Sequence, residues 1–173
     1  MANKQKLNHN RQAMALKNFR FTRYLMLRYV IALCFFVNLY WLVFLWGQGI
    51  AFVVPGALLC LATLACFEQV KLYDSSAKQL EGELKFNRRY YLTQMLVNAS
   101  LIISALTGIM YQTFFPFLLT LINVRLLLSG FLLLGICLSG FSLNRIKAIC
   151  ENKDKFYERI VAFESANQKI RKK

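Results

Sequence analysis

The chain has 173 residues, of which 57% are hydrophobic and only 17% charged, and its formal net charge is +14. A water-soluble domain of this size carries nearer a quarter charged residues, so the apolar excess has to be solvated by lipid or by other chains. His9 is the one histidine and stands in a polar segment, and the five cysteines (Cys34, Cys60, Cys66, Cys137, Cys150) show no CxxC pair and no disulfide-like spacing. Neither a metal centre nor a disulfide framework is expected, and no cofactor.

Residues 1–24 form a basic segment with Lys4, Lys6, Arg11, Lys17, Arg20 and Arg23 and no acid. Leu7, Met14, Phe21 and Leu25 recur near helical spacing. Two readings stay open: an interfacial helix on anionic lipid, or a solvated tail that holds the N-terminus in the cytoplasm. The segment is too long and the next apolar run too extended for a cleavable signal peptide.

The first apolar run, 25–46, is long enough for a transmembrane helix. Arg28 lies in its first turn and Tyr40, Trp41 and Trp46 towards its far end, as an aromatic belt would. Gly47-Gln48-Gly49 is a short turn, and 50–70 is a second span, so the pair reads as a tight hairpin. Pro55 is placed one turn into that second helix, where it is expected to kink it, and Gly56, Cys60 and Thr63 suggest a small-residue face.

Residues 71–91 form a polar connector in which Tyr73, Ala77, Leu80, Leu84 and Tyr91 share one helical face, with Asp74 or Ser75 as its cap. The third span is expected over 92–115. Ser100, Ser104 and Gly108 repeat every four residues on it, a ridge that lets another helix come close. The fourth span, 117–141, starts directly after Pro116 and makes a second tight hairpin. The tail, 142–173, repeats Ile149, Phe156, Phe163 and Ile170 every seven residues, with Ile146 and Ile160 adjoining. It reads as an amphipathic helix, with Ile149, Phe156, Ile160 and Phe163 as its docking face. Its final Lys169, Arg171, Lys172 and Lys173, like the basic N-terminus, suit anionic lipid headgroups.

The fold class expected is therefore an all-α integral membrane protein with four transmembrane helices in two hairpins. Charge sets the orientation. Seven basic residues precede or begin the first span, five lie in the connector, nine in the tail, and none in the short turns. Cytoplasmic segments collect Lys and Arg, so both termini and the connector are expected inside. A bacterial inner membrane is the favoured setting, with the endoplasmic reticulum as the alternative.

The remaining basic residue, Arg125, falls inside the fourth span. Counted from Pro116 at about 1.5 Å per residue it lies roughly 13 Å deep. Asn38, Thr107, Tyr111 and Asn123 are expected at similar depth, and no acid is. Arg125 then snorkels outwards, is capped by those neutral acceptors, or meets an acid on another subunit or an anionic ligand.

No constellation of base, nucleophile or metal ligands appears, so an enzyme is not expected. The reading is an accessory or regulatory subunit that docks on a larger integral membrane protein, a transporter, translocase or envelope machine. It would use the small-residue ridge and the cytoplasmic helices. The alternative is a homo-oligomeric small transporter or channel with Arg125 at an anionic site. Nucleic acid is not expected as a partner, because the basic residues flank membrane spans and are interleaved with acids in the connector and the tail.

Overall fold

The computed structural model describes residues 2–71, 84–151, 153, 157–158 and 160–162, and no strand occurs among them. Among these residues run five helices: α1 (Ala2–Phe44), α2 (Val53–Lys71), α3 (Lys85–Thr107), the single turn α4 (Tyr111–Phe114) and α5 (Ile122–Cys150). A 3-10 turn, Gly49–Phe52, leads into α2.

α1 runs unbroken because no glycine or proline interrupts it before Gly47. Its 43 residues extend about 65 Å, twice a hydrocarbon core. The basic N-terminal segment is thus helical and continuous with the apolar stretch after it. Gly47 (φ 84°) and Gly49 (φ 73°) then turn the chain in a conformation that side-chain-bearing residues adopt at a cost. Pro55 is the third residue of α2, not one turn inside it. Its missing N–H is one that the helix would have left unpaired anyway, so the expected kink has no cause. α2 faces inwards with Pro55, Leu58, Ala62, Ala65 and Gln69, while Cys60 and Thr63 are exposed. The small face expected from Gly56, Cys60 and Thr63 is thus not the one that this helix buries.

Three stretches are long and apolar enough to cross a membrane: Tyr24–Phe44, Gly49–Lys71 and Ile122–Cys150. Their outward residues agree with a lipid solvent. Phe36, Phe67, Leu127, Phe131 and Leu134 are among many large apolar side chains left exposed.

The long helices form a bundle with α3 against α5 and α2, and α1 against α2 and α5. Its interior is layered. At one end Tyr24, Leu27, Ile31, Ala65, Tyr91 and Ile149 make an apolar cluster. At the other, Leu101, Ala105, Tyr111, Phe115 and Leu132 make a second. Between them the buried side chains are polar: Asn38, Gln94 and Asn98. Asn38 Nδ2 donates to Cys34 O (2.9 Å) and to Gln94 Oε1 (3.0 Å), and Gln94 Nε2 donates to Asn98 Oδ1 (3.1 Å). Tyr90 joins from below, its hydroxyl 3.3 Å from Gln94 Oε1. Away from water such groups are costly unless partnered, and partnered they fix the register of α1 against α3.

The boundary of the second hairpin differs from the sequence expectation. α3 ends at Thr107, since Gly108 takes the left-handed conformation (φ 77°) and its N–H closes on Ser104 O at 2.9 Å. α5 starts only at Ile122. The fourteen residues between are a packed loop, not a tight turn at Pro116. Its stacking partners come from α1: Trp41 against Phe115 and Phe44 against Phe117, with ring centroids at 5.8 and 4.8 Å. Trp41 Nε1 also donates to Phe114 O at 3.0 Å.

Of the expected cytoplasmic docking face, Ile149 and Ile160 are buried within the chain, and Ile149 belongs to the first apolar cluster. Neither is free to dock on anything else. Their partners in that pattern, Phe156 and Phe163, lie outside the described residues, as do 72–83 of the connector and the final basic cluster. Within the connector's expected face, Leu84 and Tyr91 are core residues.

Candidate functional site

Two polar constellations stand at opposite ends of the bundle. The first joins the end of α2 to the start of α3. Glu68 accepts from the backbone N–H groups of Phe86 (3.1 Å) and Asn87 (2.8 Å) and from Asn87 Nδ2 (2.7 Å). Asn87 Nδ2 also donates to Ala65 O, and Asn87 Oδ1 accepts from Gln69 Nε2 at 2.6 Å. Residue Leu84, at the N-cap position, offers no side-chain acceptor. A carboxylate from the neighbouring helix therefore does the capping, with its charge at the positive end of the α3 dipole. The expected caps, Asp74 and Ser75, lie outside the described residues. The sequence signal for Glu68 is its position as the acid nearest an apolar span, with Gln69 directly after it.

The second constellation surrounds Arg125. The late start of α5 puts Arg125 three residues from its first residue, or about 5 Å along the axis, not 13 Å deep in a span. Of the four residues expected at its depth, Tyr111 makes the contact: the guanidinium carbon stands 5.0 Å from the ring centroid, a cation–π distance. Asn38 is committed to the polar layer. Thr107 is exposed and donates to Ile103 O at 2.8 Å, and Asn123 is exposed on the first turn of α5. The expected network of neutral acceptors around Arg125 is not formed.

What the loop supplies instead is a seat. Because Gly108 lacks a side chain, Arg125 Nη1 lies only 2.9 Å from where a Cβ would stand. Met110 also takes a left-handed conformation (φ 57°), and Tyr111 is held by its hydroxyl to Leu119 O at 3.1 Å. Arg125 Nε is shielded from solvent and has no hydrogen-bond partner. The guanidinium borders a polar cavity of about 390 Å³ lined by Gly108, Tyr111, Gln112, Thr113 and Thr120. As an early residue of α5 it meets an unfavourable dipole, and as a neighbour of the α3 C-terminus a favourable one. No carboxylate among the described residues pairs with it; Glu68 and Glu151 are at the far end of the bundle.

The small-residue expectation divides in two. Ser100 is exposed with its hydroxyl turned back to Leu96 O (3.0 Å), Ser104 bonds Ile109 O (2.6 Å), and Gly108 serves as the α3 cap. No described helix of this chain packs on Ser100. The close approach inside the bundle comes from α5, which turns Ser129, Ser139 and Ser142 inwards. Gly135 on the same helix meets the Asn98 amide inside van der Waals distance of a would-be Cβ. Gly135 and Ser139, four residues apart, carry that signal in the sequence.

The fold and these sites define an all-helical protein with three membrane-compatible helices. No family model, no curated protein and no solved structure matches the chain.

Proposed function

We propose that the chain is a four-span membrane protein, both ends cytoplasmic, that acts as an accessory or regulatory subunit of a larger membrane complex. α3 is the fourth span in this reading. Its mean hydropathy is lowered by the exposed Lys85, Arg88 and Arg89 of its first turns and by Asn87, Gln94 and Asn98. Beyond those basic turns the polar Gln94 and Asn98 are buried against sister helices, while Leu92, Met95, Leu96, Ile103 and Leu106 are exposed. Polar inside and apolar outside is the arrangement that lipid asks of a helix. Its uncharged part, residues 90–107, reaches about 27 Å. Arg28, Lys71, Arg88, Arg89 and Arg145 then gather at one end of the bundle, which supports the cytoplasmic placement.

The observation that carries the subunit role is Ser100, small and exposed between Leu96 and Ile103 on a face that no described helix of this chain covers. Its hydroxyl is satisfied by its own backbone, so a partner helix can close on that strip without stranding a polar group. Gentle detergent extraction of the full chain should bring a larger membrane protein down in stoichiometric amount, and Ser100→Leu should release most of it while the chain itself remains folded. Retention of the partner by Ser100→Leu, or recovery of a pure self-oligomer, counts against the reading. The unpaired charge of Arg125 supports a second one, a homo-oligomeric transporter of anions, which anion flux in liposomes containing only this chain would favour.

A further inference from the structure

The seat of Arg125 has a chemistry of its own, and its level along α5 says where the ligand comes from. Residues 126–144 are uncharged, and Arg125 and Arg145 stand twenty residues apart, about 30 Å on a helix. That is the thickness of a hydrocarbon core. With the membrane placement proposed above, Arg145 marks the cytoplasmic boundary and Arg125 the outer one, the level of lipid phosphates. The outer end of the bundle offers no counter-charge, since neither 45–52 nor 108–121 contains an acid.

Directly along α5 from this seat runs an apolar groove of about 700 Å³. It is lined by Leu118, Val124, Leu127, Gly130, Phe131 and Leu134. Leu118 and Val124, which line the groove, stand two residues before Thr120 and one before Arg125, which line the polar cavity. Gly130 leaves open space within the groove, with nothing within 4 Å of a would-be Cβ. The groove runs along the helix from Val124 to Leu134, about 15 Å, towards the middle of the span.

The geometry points to a phospholipid site: the phosphate on the Arg125 guanidinium and the Thr113, Thr120 and Gln112 side chains, and one acyl chain in the groove beneath. The need for a ligand lies in the charge: the Arg125 guanidinium lines the polar cavity, and no carboxylate among the described residues pairs with it. A phosphate diester supplies acceptor oxygens and the compensating charge together. The cation is held for this by Tyr111 on one side and by the bare Cα of Gly108 on the other. A free phosphate would satisfy the cavity but leave the groove unexplained, and the groove is what selects a lipid. This inference shares the membrane placement with the reading above but does not need a protein partner.

The test uses the full chain, purified in mild detergent, stripped of lipid and then offered four probes: short-chain phosphatidylglycerol, short-chain phosphatidylcholine, diacylglycerol and inorganic phosphate. Native mass spectrometry reads occupancy and thermal unfolding reads protection. One phospholipid of either headgroup is expected per chain, with diacylglycerol bound far less. Arg125→Leu should lower phospholipid occupancy about tenfold, as loss of a charge-assisted hydrogen bond implies. Gly130→Leu, which fills open groove on an exposed face, should weaken phospholipid but leave the response to inorganic phosphate unchanged. It also serves as the control should Arg125→Leu fail to fold. Equal occupancy in wild type and Arg125→Leu overturns the proposal. So does diacylglycerol binding as well as phospholipid, or inorganic phosphate alone protecting as strongly as lipid. A partner's acidic residue crosslinking to position 120 in native membranes, in place of lipid, overturns it too.

Discussion

α3 and α5 lie side by side, and they divide the work of packing in opposite ways. α3 turns large polar side chains inwards (Asn87, Tyr90, Tyr91, Gln94, Asn98) and, past the exposed Lys85, Arg88 and Arg89 of its start, leaves Leu92, Met95, Leu96, Ile103 and Leu106 outside. α5 turns serines and Gly135 inwards and leaves Leu126, Leu127, Phe131, Leu133 and Leu134 outside. One helix brings hydrogen-bonding groups to the seam, and the other brings the room for them. Mean hydropathy adds the two faces of a helix together, so it passes α5 as a span and not α3. A lipid-exposed surface responds to only one of those faces.

Filling the room should do the most damage. At Gly135 a Cβ would meet the Asn98 amide, which is held in place by Gln94 and through it by Asn38. Gly135→Leu cannot be accommodated by a rotamer change in Asn98 without breaking that chain. Overpacking of this kind costs on the order of 3 kcal/mol. Thermal unfolding in detergent should show a large drop, and the double variant Gly135→Leu with Asn98→Ala should recover part of it. Equal loss in the single and double variants would mean that the two helices do not meet through this pair.

Next in size is the polar end of α3. Glu68→Ala removes the acceptor for two backbone N–H groups and for Asn87 Nδ2. Loss of a cap together with a charged hydrogen bond costs about 2 kcal/mol. Glu68→Gln keeps one oxygen and should lose about half as much. Hydrogen exchange should localise the change to the first turn of α3, around Phe86 and Asn87. A loss spread evenly over α3 and α5 would show that Glu68 supports the bundle in some way other than as a cap.

The same contrast explains how much of the molecule is legible in residue order alone. The apolar runs of α1, α2 and α5 announce themselves, because every residue in them counts towards the signal. The start of α5 does not. Phe117, Leu118, Leu119 and Leu121 are as apolar as the helix beyond them, and only the left-handed Gly108 and the stacking of Phe115 and Phe117 on α1 keep them out of it. The shift of the helix start from 117 to Ile122 moves Arg125 from mid-span to the hairpin end, away from Asn38 in the polar layer. Asn38, Gln94 and Asn98 are visible as polar residues in apolar surroundings. Their pairing is not, since it depends on which faces of α1 and α3 meet. Ile149 and Ile160 match an amphipathic repeat, but a repeat says only that a face is apolar, not whether the chain itself covers it.

The smallest effect should come where α5 leaves the bundle, at a place with neither seam nor burial. Glu151 is exposed and stands just past the last residue of the helix, where a negative charge meets the negative end of the dipole. Lys153 Nζ donates to it at 2.9 Å, and Lys147 lies 4.0 Å away. The hydrogen bond and charge of Lys153, with Lys147 behind it, hold the Glu151 carboxyl below the usual carboxylate range. The same pair holds the Lys153 ammonium above its ordinary value. A depressed acid contributes only above its unfolded pKa and loses that contribution as pH falls through the folded value. A raised amine loses its contribution as pH rises through the folded one. Exchange protection of the last α5 turn should therefore be flat between those limits and fall slightly on both sides. Both groups are open to solvent, so added salt should flatten the profile. Glu151→Gln should abolish the acid limb while leaving the unfolding temperature of the bundle unchanged. A pH response of the whole bundle that survives Glu151→Gln would place the titrating group elsewhere than at this helix end.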